Sequence, residues 1–240
     1  MPSAMRAPNA PFLITFSGMD GAGKTTQIEN LRAELLSRGY PSLLLTFWDN
    51  VVVLSRFREE ATHRVLKSEK GIGTRGRPVA RRDKNVRAWY LTLLRCVLYF
   101  LDAVHLRIVI RRATRSRVSL VILDRYIFDE IANLPLRNSA GRAYARLLAR
   151  IAPHPNIAYV LDADPFQARE RKPEYPLAFL RECRQTYLHL ASLLDLAVVT
   201  PDSVDEMTRA VLSRALIAIA SKQPPNGAEA EQPVTFREAS

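Results

Sequence analysis

Cysteine is scarce: the 240 residues hold two, Cys96 and Cys183, far apart and in no CxxC. That excludes a disulfide framework and a zinc knuckle, and both cysteines read as small buried apolar residues. The four histidines (His63, His105, His154, His189) show neither HExxH spacing nor close pairing, so no built-in transition metal is expected. With 9 Gly and 15 Pro against 48% hydrophobic residues, collagen-like, low-complexity and wholly disordered classes are out. Long apolar runs are missing too. MPSAMRAPNAP at the start has none before Phe12, which excludes an ordinary secretory signal and makes a cytoplasmic protein the expectation. The most membrane-like stretch, Leu91 to Ile110, carries Arg95, Asp102, His105 and Arg107, too many polar groups for a bilayer span, and reads as a buried helix with functional edges.

Acidic residues are also in short supply, 24 against 35 Lys and Arg, for a formal charge of +11. The excess is local: Arg56 to Arg117 holds 17 Lys or Arg and 5 Asp or Glu. Such a block suits phosphates, nucleic acid or an acidic lipid surface, and equally a solvated face.

Apolar runs and helical periodicity alternate along the chain. Phe12 to Ser17 (FLITFS) reads as a strand, followed by a glycine-rich turn and a helical pattern through Ile28, Leu31 and Leu35 that ends before Gly39. Further strands are expected at Ser42 to Phe47, Val118 to Asp124, Ile157 to Asp162 and Leu196 to Thr200. A long helix of about Asn85 to Arg115 precedes the third strand. A short helix carrying Arg169 and Arg171 follows Asp164-Pro165, then the stiff break KPEYP, then a longer helix from Leu177. Ser203 and Glu206 form a capping box for the last helix, to about Ser221. Fully apolar strands alternating with helices predict an α/β domain whose parallel sheet is covered on both faces. The domain is expected over residues 12–220, with a flexible start at 1–11, a mobile basic loop about 67–84 and a disordered tail at 221–240.

The strongest chemical signal is Gly18-Met-Asp-Gly-Ala-Gly23-Lys24-Thr25, which fits G-x-x-x-x-G-K-[ST] between an expected strand and an expected helix. Its glycines let backbone N–H groups curl around a phosphate, Lys24 neutralises β and γ oxygens, and the Thr25 hydroxyl can complete a Mg²⁺ shell. Gly18, Asp20, Gly21, Ala22, Gly23, Lys24, Thr25 and Thr26 are therefore the expected ATP-binding residues. No NKxD follows a later strand, and the third strand ends in Asp124-Arg125 rather than an acidic pair. Both absences favour small-molecule phosphoryl transfer over GTPase or motor chemistry.

With FSGMDGAGKTTQ and LDRY together, the chain resembles the thymidylate kinase family of nucleoside monophosphate kinases over about Phe12 to Ile219. The resemblance implies a three-layer P-loop fold with a five-stranded parallel sheet of order 2-3-1-4-5, and a small lid about residues 165–176. It implies use of ATP and Mg²⁺, with Asp20 between the two substrates and Asp124 with Arg125 reaching the metal and the acceptor phosphate. Family members place a catalytic arginine in the P-loop, at the position of Gly21, or in the lid. Here that duty falls to Arg169 or Arg171, so the expected catalytic set is Lys24, Asp20, Arg125, Arg169 and Arg171, with Thr25 and Asp124 as metal ligands. A homodimer paired through helices is implied by the resemblance alone.

The acceptor half departs from the family's pattern. Where an Arg-Glu-Pro turn is usual this chain has Thr46-Phe-Trp-Asp-Asn50, and the helix motif Ala-Asp-Arg reads Leu101-Asp102-Ala103. The Ser and Tyr-Gln expected after LDRY are missing from IFDEIANLP. Phe47 and Trp48 could stack on a base and Asp49 bind a sugar hydroxyl, or the three could form a hydrophobic turn. Arg125 with Arg87, Arg95 or Arg107 is the expected clamp for the acceptor anion. The expected function is ATP-dependent phosphorylation of a nucleoside monophosphate. The alternative is an ATP-binding sensor that docks on nucleic acid or an anionic membrane through its basic segment.

Overall fold

The computed structural model describes residues 10–53, 89–115, 118–200 and 203–222. Most of the basic block, including the loop about 67–84 and Arg87, lies outside them, as do nearly all of the expected flexible start and tail.

In chain order the elements are β1 (Phe12–Ser17), α1 (Lys24–Ser37), β2 (Ser42–Thr46), α2 (Phe47–Asn50), α3 (Trp89–Arg115), β3 (Leu120–Asp124) and α4 (Ile127–Ile131). They continue with α5 (Ser139–Ile151), β4 (Ile157–Leu161), α6 (Pro165–Arg171), α7 (Leu177–Leu194), β5 (Ala197–Val199) and α8 (Val204–Lys222). The five strands form one parallel sheet in the order β2-β3-β1-β4-β5. Central β1 is buried at every residue, whereas the edge strand β2 is only half covered, which is why FLITFS is apolar on both faces.

Period-two alternation sorts the strand side chains into two cores. Phe12, Ile14 and Phe16, with Leu120 and Ile122, pack against Ile28, Leu31 and Leu35 of α1 and Met207, Val211 and Ala215 of α8. Leu13, Val121 and Leu123 face the other way, onto Tyr99, Ala103 and Leu106 of α3 and Ala145 and Leu148 of α5. The strand order turns outward in both directions from β1. That opens a crevice at the carboxyl ends of β1, β3 and β4, where ligands of open α/β sheets bind. The glycine-rich loop, Asp124-Arg125 and the Asp162–Asp164 segment all leave the sheet at that edge.

Three sequence expectations are corrected. α3 is not a buried helix: Tyr99, Ala103, Leu106 and Ile110 bury one stripe, while Leu93, Leu94, Val97, Phe100, Leu101, Val104 and Ile108 are exposed. Only one face of a helix can meet the sheet, and among the described residues no element covers the other. The strand at 42–47 stops at Thr46. Asn50 turns back there, its Oδ1 accepting from the Thr46 N–H at 2.8 Å, while the Val51 and Val52 N–H groups both donate to the Phe47 carbonyl. Cys96 and Cys183 are half-buried, not core residues. The other strand boundaries shift by one or two residues, the expected start of the long helix at Asn85 lies outside the described residues, and the Ser203 hydroxyl accepts from the Glu206 N–H at 3.2 Å, as a cap should.

Candidate functional site

Gly18 to Gly23 connect β1 to α1 through three glycines at positive φ, of +140°, +82° and +87°. Two are forced by close packing. A Cβ on Gly18 would lie 2.6 Å from the Leu161 carbonyl oxygen, and one on Gly21 would overlap the backbone of Ala168 in α6. Gly23 has nothing within 4 Å of where its Cβ would be, so the space over the first turn of α1 is open. Thr25 and Thr26 are exposed beside that space. Unpaired N–H groups of a helix start, two hydroxyls and an open cradle are the donor set a polyphosphate requires.

Lys24 is buried at 8% exposure and donates from Nζ to the carbonyls of Gly18 and Met19 at 2.8 and 2.9 Å. Burial, reinforced by the charge of Arg125 and only partly opposed by Asp129, Asp20 and Asp124, pushes its pKa down to about 8. The lysine is thus held within the loop, short of compensating negative charge.

Arg125 follows β3 at φ +67°, a left-handed conformation that costs a residue with a Cβ about 1–2 kcal/mol. Its N–H donates to the Phe16 carbonyl at 2.9 Å, and its guanidinium spans two carboxylates, Nη2 pairing with Asp20 and Nη1 with Asp129 at 3.2 Å. Burial works against the Arg125 charge, but Asp129 and Asp20 outweigh it and raise its pKa. For Asp20, burial works to raise the pKa while Arg125, Lys24 and Lys172 lower it further, leaving the carboxyl below its usual range.

Asp124 has a buried Oδ1 with no hydrogen-bond partner among the described residues, and burial raises its pKa against the pull of Lys24 and Arg125. A buried carboxylate oxygen without a donor has the chemistry of a ligand for a hard cation such as Mg²⁺, and the Thr25 hydroxyl, the other expected ligand, is exposed. Among the described residues no three His, Cys, Asp or Glu cluster as an all-protein metal site.

Helix α6, the expected lid, is started by Asp164, whose Oδ1 accepts from the N–H groups of Phe166 and Gln167. Arg171 extends Nη1 towards the Gly21 carbonyl at 3.4 Å and Nη2 towards Gln167 at the same distance. Arg169 is half-buried and makes no hydrogen bond or ion pair among the described residues.

The expected acceptor residues are scattered. Phe47 is fully buried, edge-on to Trp48 with ring centroids 5.7 Å apart, so for Phe47 the hydrophobic-turn alternative holds; Trp48 and Asp49 are exposed. Arg95 lines a cleft of about 800 Å³ between α3, residues 132–137, Arg142 and the Phe179–His189 face of α7. Arg107 lies roughly 18 Å further along the α3 axis. It donates to the Arg150 carbonyl at 3.4 Å, at the sheet edge opposite the glycine-rich loop, and is not brought to the others.

Two residues that sequence reasoning missed tie the cleft to the loop. Asp129 accepts from Ser17 Oγ at 2.7 Å, Tyr126 N–H at 3.1 Å, Tyr187 Oη at 2.8 Å and Arg125. Tyr187 also lines the cleft. The available signal was an acid four residues after Arg125, the first of the pair Asp129-Glu130 set between apolar residues in IFDEI.

No protein-family model matches this chain. A protein of Archaeoglobus fulgidus described as a probable thymidylate kinase is 26% identical over 206 residues, covering 83% of this chain and 92% of that protein. One of Sulfurisphaera tokodaii with the same description is 26% identical over 208 residues, covering 82% and 92%. On these two matches the chain is a distant, thymidylate kinase-like relative of those two proteins.

Proposed function

We propose that the protein transfers the γ-phosphoryl group of ATP to a nucleoside monophosphate or a similar small anionic acceptor. The observation that carries this reading is the convergence of Lys24, Arg125 and the lid's Arg171 on one glycine-rich loop with open space over Gly23. Phosphoryl transfer passes through a loose transition state, so positioning and positive charge do most of the catalysis. Lys24 exchanges its two carbonyl partners for the β and γ oxygens. Arg125 receives the acceptor phosphate, with Asp20 alongside. Arg171, or Arg169, brings the lid's charge to the transferring group. Thr25 and Asp124 would hold Mg²⁺, which when bound offsets charge between the β- and γ-phosphates. The acceptor's remaining part enters the cleft beside Arg95.

The distant kinase-like relatives support this reading. Thymidylate should be a poor acceptor. Ala103, at the position of the family's phosphate-holding arginine, is fully buried in the core, and Asp102 beside it accepts the Val53 N–H at 2.6 Å. Each missing charged contact is worth about 1.5–3 kcal/mol, so two would cost about a hundredfold or more. ADP release over a panel of nucleoside monophosphates tests both points. Turnover with none of them would remove the kinase reading, and efficient turnover with thymidylate alone would overturn the acceptor reading.

The second reading is an ATP-binding protein that docks on nucleic acid or anionic membrane, favoured by the charge of Arg56 to Arg117. Salt-sensitive binding to DNA, RNA or acidic vesicles without turnover would support it. The exposed α3 stripe is the surface on which a homodimer would form.

A further inference from the structure

Two carboxylates hold the Arg125 guanidinium, and they are not equivalent. Asp20 sits in the glycine-rich loop and makes no other side-chain bond among the described residues, with its side chain 24% exposed; Asp129 is 2% exposed and saturated. Its Oδ1 takes Arg125 Nη1 and Tyr187 Oη, and its Oδ2 takes Ser17 Oγ and the Tyr126 N–H. Those donors come from β1, the turn after β3 and α7, so Asp129 is fixed from three sides. A carboxylate offers about four lone-pair sites, and here all are filled.

An anion arriving at Arg125 can therefore displace Asp20 but not Asp129. We propose that Asp129 is the positioning residue for Arg125: the permanent partner that keeps the guanidinium aimed while Asp20 gives way to the acceptor's phosphate. The left-handed backbone of Arg125 needs such an anchor, since the segment would otherwise relax toward negative φ and carry the side chain away. Tyr187 extends the arrangement. Its hydroxyl bonds Asp129 while the residue lines the α3–α7 cleft, so an acceptor seated there touches the anchor of the group that binds its phosphate.

This inference rests on the proposed phosphoryl transfer, and its test separates the two. In the full-length protein, Asp129→Asn removes the charge and keeps the shape. With the best acceptor of the nucleoside monophosphate panel, acceptor KM should rise about tenfold to a hundredfold, while affinity for a fluorescent ATP analogue stays within about twofold, a split that general loss of structure would not give. Tyr187→Phe keeps the carboxylate and removes one donor. It should give the same split at about three- to tenfold, and it carries the test if Asp129→Asn fails to fold.

The second measurement needs no turnover. In ¹⁵N-arginine-labelled protein, the Arg125 side-chain resonance, assigned by loss in Arg125→Lys, should be sharp and protected in the wild type and broadened in Asp129→Asn or Tyr187→Phe. If wild-type protein phosphorylates no acceptor, the proposed function falls and the arginine resonance still decides the role of Asp129. An unchanged resonance in these variants overturns the positioning role. So does unchanged acceptor KM where the wild type turns over.

Discussion

The Arg184 guanidinium meets the Asp162 carboxylate through two bonds, Nε to Oδ1 at 2.6 Å and Nη2 to Oδ2 at 2.7 Å. Asp162 stands just past the end of β4, nearly buried, two residues before the acid that starts the lid helix; Arg184 comes from α7, on the lid's other side. One ion pair thus joins the segments on either side of α6, the proposed lid, at the end of the sheet.

Arg184→Ala should lower stability by about 1–2 kcal/mol, less than a fully buried pair because the guanidinium is 38% exposed. Arg184→Lys should recover only part, since an ammonium cannot reproduce the two-point contact. Urea denaturation measures both, and an unchanged midpoint in Arg184→Ala would show that the pair does not stabilise the lid's base.

Gly21 and Gly23 have nearly the same φ but different surroundings, and their substitutions should diverge. Gly21→Ala forces a methyl against the Ala168 backbone at an unfavourable φ and should cost about 2–4 kcal/mol of stability. Gly23→Val meets open space in the free protein and should cost about 1–2 kcal/mol, yet it fills the proposed phosphate cradle and should abolish binding of ATP. Thermal unfolding paired with nucleotide titration separates the two. Equal stability losses, or normal ATP affinity in Gly23→Val, would contradict the assignment.

Lys24, held near a pKa of about 8, should regain ordinary basicity when a triphosphate reaches it. ATP binding should then take up a proton above pH 8 and weaken as pH rises further. Calorimetry at pH 8.5 in buffers of different ionisation enthalpy reads the uptake directly, with Lys24→Met as the background. Without nucleotide, the buried charge opposes folding below pH 8, and that opposition fades as pH climbs from about 8 towards 10.5. Zero proton uptake would mean that the amine does not meet phosphate.

The two lid arginines should separate into one severe and one mild variant. Arg171 already reaches for the Gly21 carbonyl, whereas Arg169 has no partner among the described residues. Arg171→Ala should therefore lower turnover by about a hundredfold or more with little change in ATP affinity, and Arg169→Ala by about tenfold or less. Wild-type turnover in the double variant would end the lid's catalytic role.

The loop and the sheet were legible in the sequence for the same reason: both follow from local rules. Apolar β-rich runs with helical periods between them define the strand order's parallel character, and G-x-x-x-x-G-K-T needs only its neighbours to be a strand and a helix. The acceptor side obeys no local rule. Phe47 is as aromatic as Trp48, and only packing beneath α2 decides which is buried. Arg95 and Arg107 look interchangeable until the direction of α3 sends one to the cleft and the other to the far edge of the sheet. Asp129 was hidden because its partners are spread from Ser17 to Tyr187, a convergence that sequence spacing does not record.

The contact between Gly21 and Ala168 also bears on how this protein can change over generations. An arginine at position 21, the place some family members are implied to use, would need room that the lid backbone occupies. Such a replacement should therefore destabilise the present fold unless α6 moves away. Moving α6 first would in turn withdraw Arg171 before any replacement exists. If Arg171 serves as proposed, the two placements of the arginine exclude each other, and the packing of two backbones is what keeps it on α6.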